Sequence, residues 1–223
     1  MKGYKSILST RILEATLLQE AEENGVKIDC IPFIDIQYKS ITDIHQQLSQ
    51  LSPRDIFIFT SQHAVNAAFE IVKDLNNATY CISGATRQAL EQSLLTIEAS
   101  ADYAADLVKL MEMDENRNYI LFCGNKRMPT IPRFLQQQGL HLLEVICYDN
   151  FASPHKVLPF YEGVMFYSPS GVESYFTLNQ AAQHQKYYCI GTTTANAVGK
   201  YSKGNIIVAE KPGIPEMIQK IKG

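Results

Sequence analysis

The stretch IFIFTSQHAV, Ile56 to Val65, returns as GVMFYSPSGV, Gly163 to Val172. YCISGATRQAL, Tyr80 to Leu90, returns as YCIGTTTANAV, Tyr188 to Val198. Ser61 and Ser168 stand 107 positions apart and Cys81 and Cys189 stand 108 apart, so the two matches keep one register. Two fainter echoes extend them. YKSILSTR (Tyr4 to Arg11), a helix and ENGVKIDCIPF (Glu23 to Phe33) resemble NYILFCGNKR (Asn118 to Arg127), a helix and QQGLHLLEVICY (Gln137 to Tyr148), while Tyr103 to Met111 resembles Gly213 to Ile221. A repeat this long means two copies of one domain. Two similar lobes facing each other make a cleft, a preferred place to bind a small molecule.

Outward from these matches, short apolar runs alternate with amphipathic stretches. The expected strands are Lys5–Ser9, Val26–Pro32, Asp55–Phe59, Thr79–Ile82, Leu95–Glu98, Tyr119–Phe122, Leu142–Cys147, Val164–Phe166, Tyr187–Ile190 and Ile206–Val208. Most are continuously apolar, as strands buried on both faces of a parallel sheet must be. Spacings near 3.6 place helices on Ile12, Ala15, Leu18 and Ala21, on Val65, Phe69 and Val72, and on Leu107, Leu110 and Met111. Strand–helix alternation implies right-handed βαβ units and a doubly wound α/β fold, with five strands per lobe, a flavodoxin-like count. The polar segments Asp35–Lys39 and Asp149–His155 follow equivalent strands and read as linkers. In plain order the copies are 1–112 and 117–223. The matched linkers equally allow a double crossover, in which one lobe is made of both chain ends and the other of the middle.

The 223 residues, 46% hydrophobic and 19% charged, have an ordinary globular balance and fit two domains of about 100 residues. A net charge of −3 gives no electrostatic reason to bind nucleic acid. No apolar run approaches the roughly 18 residues of a membrane helix. The opening MKGYKSILSTR lacks a signal-peptide apolar core, so a cytoplasmic location is expected. The five cysteines, Cys30, Cys81, Cys123, Cys147 and Cys189, have no metal-ligand spacing and mostly fall in apolar runs, where reduced buried thiols are expected.

Ligands of open α/β sheets bind beyond the carboxyl ends of the strands. Those ends are rich in small polar residues here: Thr10 and Arg11 after Ser9, Thr60 and Ser61 after Phe59, and Cys123, Gly124, Asn125, Lys126 and Arg127 after Phe122. The second copy adds Tyr167, Ser168, Pro169, Ser170 and Gly171 after Phe166, and Gly191, Thr192, Thr193 and Thr194 after Ile190. Ser168 followed by Pro169 reads as an N-cap with proline at the first helical position. Such residues commonly serve only as caps. Five such turns in two matched sets point further, to backbone N–H groups and helix dipoles gathered for a polyanion, with Lys126 and Arg127 as cationic candidates. GxGxxG, Walker and GxSxG patterns are absent. The five histidines, His45, His63, His141, His155 and His184, lack ligand spacing and read as surface or packing residues. Tyr148, ending the run EVICY, is placed for its phenol to face the cleft, as packing or as a proton donor.

At these residues the chain resembles the uroporphyrinogen-III synthase family. The resemblance is carried by STR (Ser9–Arg11), FTS with AV (Phe59–Ser61, Ala64–Val65), LFCGNKR (Leu121–Arg127), Val145–Tyr148, FYSPSGV (Phe166–Val172), IGTTTANAV (Ile190–Val198) and EKPGIPEM (Glu210–Met217), in order over nearly the whole chain. It implies two flavodoxin-like lobes, each with a parallel five-stranded, doubly wound sheet, joined by a two-stranded connector. It also selects the crossed arrangement: 1–34 with 152–223, and 38–147, with linkers 35–37 and 148–151. It implies a monomer needing no cofactor and no metal. The implied reaction cyclises hydroxymethylbilane, inverting ring D through a spiro intermediate and losing water.

Loss of hydroxide from the ring A hydroxymethyl group needs a proton donor, and Tyr148 matches the family's functional tyrosine. Positioning of the acetates and propionates falls to the turns at Thr10, Arg11, Thr60, Ser61, Gly124, Asn125, Arg127, Ser168, Pro169, Ser170, Gly191, Thr192, Thr193 and Thr194. Gln62-His63 departs from the family's usual proline and basic residue, so His63 is not carried over. Tyr167 replaces a smaller residue and offers a second phenol. The competing reading is a non-catalytic two-lobed anion-binding or regulatory module, including an inactive relative of the synthase.

Overall fold

The structure, a computed structural model, describes residues 4–48 and 51–222. Residues 1–3 and 223, expected at the ends of the first lobe, lie outside the described residues. The elements run β1 (Lys5–Ser9), α1 (Ala15–Glu23), β2 (Val26–Cys30), β3 (Ile34–Tyr38), α2 (Ile41–Gln47), β4 (Ile56–Phe59), α3 (Gln62–Val72), β5 (Ala78–Ile82), α4 (Ala85–Leu90), β6 (Thr96–Ala101) and α5 (Ala104–Leu110). They continue with β7 (Tyr119–Gly124), α6 (Thr130–Gln137), β8 (Leu142–Ala152), β9 (Gly163–Phe166), α7 (Pro169–Leu178), β10 (Lys186–Cys189), α8 (Thr192–Val198), β11 (Ile206–Val208) and α9 (Ile214–Lys222). The chain divides into two compact units, Met1–Asp35 with Phe151–Gly223, and Ile36–Asn150.

The first unit holds a five-stranded sheet in the order β11-β10-β9-β1-β2, with every neighbouring pair parallel. The second holds the order β3-β8-β7-β4-β5-β6. Its β4–β8 pairings are all parallel. β3 enters this unit and β8 leaves it, so the two neighbours run in opposite directions and the sheet is mixed. The sequence repeat maps strand for strand: β7, β8, β4, β5 and β6 occupy the places of β1, β2, β9, β10 and β11.

Both faces of each sheet are covered, which is why the strand runs are continuously apolar. In the second unit Phe57, Phe59, Ile120, Phe122, Val145 and Cys147 pack against Ile44 of α2, Ala64, Val65, Ala68 and Val72 of α3, and Leu90 of α4. Ile58, Tyr119 and Leu121 face the other way, onto Leu107 and Val108 of α5 and Ile131 and Leu135 of α6. In the first unit Leu8, Val164 and Phe166 pack on Val172 and Tyr175 of α7 and Val198 of α8. Ile7, Met165 and Tyr188 pack on Ala21 of α1 and Met217, Ile218 and Ile221 of α9.

Several local expectations are corrected. Ile34–Tyr38 is strand and β8 continues through Ala152, where composition alone reads polar linkers and the resemblance implies a two-stranded connector. The alternation in IDIQY is the period of a half-exposed strand and outweighs its polarity. In α1 the inward stripe is the buried Ala21 and the half-buried Leu17, preceded by the buried Leu13, whereas Ile12 lies before the helix and is exposed. Leu110 is exposed and Val108 takes the inward place in α5.

Burial of Cys81, Cys123, Cys147 and Cys189 raises their thiol pKa from 9.0, to about 11 for Cys81 and about 12 for the other three. A group whose native pKa is raised stabilises the fold fully below its unfolded value, and loses that contribution as pH climbs through the native one. Thermal melts from pH 8 to 11 are therefore expected to show Tm falling above about pH 9, and an unchanged Tm at pH 11 refutes this. At pH 8 a thiol reagent is expected to reach Cys30, which is only partly buried, well before the other four.

Candidate active site

β7 and β8 pair in register from Tyr119 with Leu142 to Cys123 with Ile146, and then Gly124 faces Tyr148. One residue, Cys147, has been skipped. Such a bulge re-aims the following side chain. Val145 and Cys147 face the α3 side while Ile146 packs on the opposite cluster, so strict alternation sends Tyr148 with Ile146. Instead Tyr148 packs on the α3 side, behind Cys147. Its phenol donates a hydrogen bond to Ser61 Oγ at 3.0 Å. Ser61 is also the N-cap of α3, accepting from the His63 backbone N–H at 3.2 Å.

Gly124 makes room for this arrangement. A Cβ there would sit 2.5 Å from Cε2 and Cζ of the Tyr148 ring. Next to it, Asn125 N donates to the Tyr148 carbonyl at 3.1 Å and Asn125 Oδ1 accepts from the Asn150 N–H at 2.9 Å. Burial lifts the Tyr148 phenol above its ordinary pKa, and the bond to Ser61 pulls the other way. The hydroxyl therefore holds its proton at neutral pH, the state a proton donor requires.

Two residues not expected here complete the cluster. The His63 ring lies 5.5 Å from the Tyr148 ring, centroid to centroid, and its Nδ1 is 2.8 Å from the Tyr38 hydroxyl. Tyr38 belongs to β3, whose alternating pattern was the signal that could have placed it. His63 lies in the first turn of α3, two positions after Ser61, and that offset was its signal. Arg127 is engaged otherwise than expected. Its guanidinium grips the Glu144 carboxylate through Nε and Nη2, a bond that raises its already high pKa further. Lys126 is exposed, and Thr60 lies half-buried at the end of β4.

The first unit gathers a second set. Thr10 is buried, and its hydroxyl donates to the Met165 carbonyl at 2.7 Å, so its side chain joins β1 to β9. Ser168 caps α7, accepting from Gly171 N at 3.2 Å, with Pro169 at the first helical position and Ser170 Oγ 3.2 Å from Ser168 Oγ. The Tyr167 hydroxyl is 2.9 Å from Ser9 Oγ, and the exposed Arg11 guanidinium sits over its ring, 5.4 Å from the centroid. Burial raises the Tyr167 phenol strongly. Gly191 occupies the N-cap of α8, with Thr192 and Thr193 exposed in its first turn and Thr194 buried. Among the described residues no cluster of three or more His, Cys, Asp or Glu is placed to hold a metal, and no helix is long and apolar enough to cross a membrane.

Fold and site define a two-unit α/β protein whose strand ends carry hydrogen-bond donors and, in each unit, a desolvated phenol hydrogen-bonded to a serine. The family model described as uroporphyrinogen-III synthase HemD matches residues 15–219, and the chain belongs to that family. Its members are lyase-type enzymes that act on hydroxymethylbilane in heme biosynthesis. Solved structures share the fold. A uroporphyrinogen-III synthetase from Helicobacter pylori is 15% identical, with 97% of this chain and 98% of that one covered, at a TM-score of 0.65. A mutant uroporphyrinogen III synthase from Thermus thermophilus is 17% identical over 97% of both chains, at a TM-score of 0.70. Another structure of the Thermus thermophilus synthase is 18% identical over 97% and 98%, at 0.53.

Proposed function

We propose that this chain cyclises hydroxymethylbilane to uroporphyrinogen III, inverting ring D and releasing water, with Tyr148 as the proton donor. The observation that carries the reading is the bulge that brings Tyr148 onto Ser61 against Gly124, where desolvation keeps its proton in place. As the ring A carbon–oxygen bond breaks, the pyrrole nitrogen supplies electrons and the phenol proton converts the departing hydroxide to water. The turns at Ser61, Asn125, Ser168, Ser170, Thr192 and Thr193, half-buried at the three serines and exposed at the other three positions, and the exposed Arg11 guanidinium are the groups we assign to the substrate carboxylates. Thr10, Thr194 and Arg127 already have intramolecular partners or are buried, and we give them supporting roles.

We read the lobes as flavodoxin-like. Renumbered within each unit from β1 and from β7, the strand order is 2-1-3-4-5 in both. The reading includes a monomeric, cytoplasmic protein that takes no nucleic acid and no cofactor.

The test is to generate hydroxymethylbilane in situ, add the protein, oxidise the product and separate the isomers by chromatography. Mostly type III supports the reading; type I alone, at the spontaneous rate, overturns it. Because backbone N–H groups do much of the positioning, Ser61→Ala is expected to cost less than tenfold in kcat and about 1 kcal/mol in stability from the lost cap. A hundredfold loss on that change alone counts against backbone-led positioning.

A further inference from the structure

We propose that Tyr38 and His63 are positioning residues for Tyr148, holding its phenol for proton delivery and offsetting the negative charge it acquires once the proton has gone. The inference rests on the proposed cyclisation and deepens it. Three elements converge on one phenol: β8 supplies Tyr148, the first turn of α3 supplies Ser61 and His63, and β3 supplies Tyr38. The His63 and Tyr148 rings are 5.5 Å apart at 59°, and the His63 and Tyr38 rings are 5.9 Å apart at 47°. The bond between Tyr38 and Nδ1, at 2.8 Å, fixes the rotation of the imidazole.

The proton balance of the reaction gives this arrangement a use. The carbon–oxygen bond of the ring A hydroxymethyl breaks and its hydroxide leaves as water, taking one proton from Tyr148. The ring A methylene bonds to the substituted ring D carbon, that carbon's bond to the ring C methylene breaks, and the freed methylene bonds to the unsubstituted ring D carbon, which gives up its hydrogen as a proton. One proton is supplied and one is returned, and the water lost contains the hydroxyl of ring A and that hydrogen. Between the two events Tyr148 is a phenolate in a desolvated place, a costly charge unless a polar partner lies beside it. Ser61 Oγ is one such partner, and the imidazole against the ring is the other. Tyr38, bonded to the imidazole and 51% exposed, links the cluster to solvent.

The experiment measures kcat, KM and the type III fraction for wild type, His63→Leu, His63→Asn and Tyr38→Phe, each checked by thermal melting. His63→Leu keeps the packing volume and removes the ring nitrogens. His63→Asn keeps an acceptor for Tyr38. The expected result is a kcat loss of about ten- to a hundredfold for His63→Leu, smaller losses for His63→Asn and Tyr38→Phe, and KM within about twofold throughout. Wild type making type III while all three variants stay within twofold in kcat overturns this inference and leaves the function standing. So does a loss confined to KM, which marks direct substrate contact. Wild type yielding only type I overturns the functional reading itself.

Discussion

Tyr148→Phe is expected to lower the rate of type III formation by about 10²- to 10⁴-fold, the range spanned by a single positioned general acid. The ring stays in place against Gly124, so packing is kept. Ser61 Oγ still accepts from the His63 N–H, so the helix cap survives. Stability should change by only about 1 kcal/mol, the net worth of one hydrogen bond. Loss of activity at nearly unchanged Tm is thus the signature of a lost proton donor. The isomer ratio adds a second readout. When enzymatic closure slows, spontaneous head-to-tail closure takes a larger share and type I rises. Type III formation within twofold of wild type removes Tyr148 from the chemistry and turns attention to Tyr167, whose phenol is similarly desolvated and bonded to Ser9.

Gly124→Ala is expected to abolish activity almost as completely without touching the phenol. The added methyl would overlap the Tyr148 ring at 2.5 Å and approach its hydroxyl at 2.9 Å. The ring must swing away, and the bond to Ser61 breaks with it. Overpacking of this kind costs about 1–3 kcal/mol, and the displaced donor costs at least a hundredfold in kcat, since misplacement by about 1 Å suffices for that. Adding Tyr148→Val to Gly124→Ala removes the clash, so Tm should recover while activity does not. Gly204→Ala, where a Cβ meets nothing within 4 Å, is the neutral control. Full activity in Gly124→Ala means that the close contact between ring and glycine is dispensable.

The strands were legible because burial on both faces leaves no room for polar residues. IFIF and YILF announce themselves whatever their partners. The strand places shared by the two units were legible from the paired serines and cysteines of the repeat. β3 was not, because a half-exposed strand has the composition of a linker, and only its alternation tells them apart. The inward stripe of α1 is ambiguous in sequence because Leu13, Leu17 and Ala21 compete with Ile12, Ala15 and Leu18 at the same period. In the site, Tyr148 and Ser61 could be singled out separately, but no residue type marks a bulge at Cys147, so their hydrogen bond could not be read in advance. Nothing in its own stretch marks His63 as a site residue. Its partner, Tyr38, lies on another strand, 25 positions away. Arg127 looked like an anion ligand because Glu144, the anion that holds it, sits 17 positions further on.

The placing of the second unit inside the first has a consequence for how the chain is made on the ribosome. Ile36–Asn150 is contiguous, so it has all its strands and helices once its last residues emerge. The other unit has only β1, α1 and β2 by then, and β1, which pairs with β9 on its far edge, must wait for Gly163–Phe166. At synthesis rates of roughly 5–20 residues per second the wait is on the order of ten seconds. Throughout it Ile7 and Leu8, both fully buried at the end, lie on an open strand edge. The insertion thus leaves β1 with an open edge for longer than any strand of the contiguous unit.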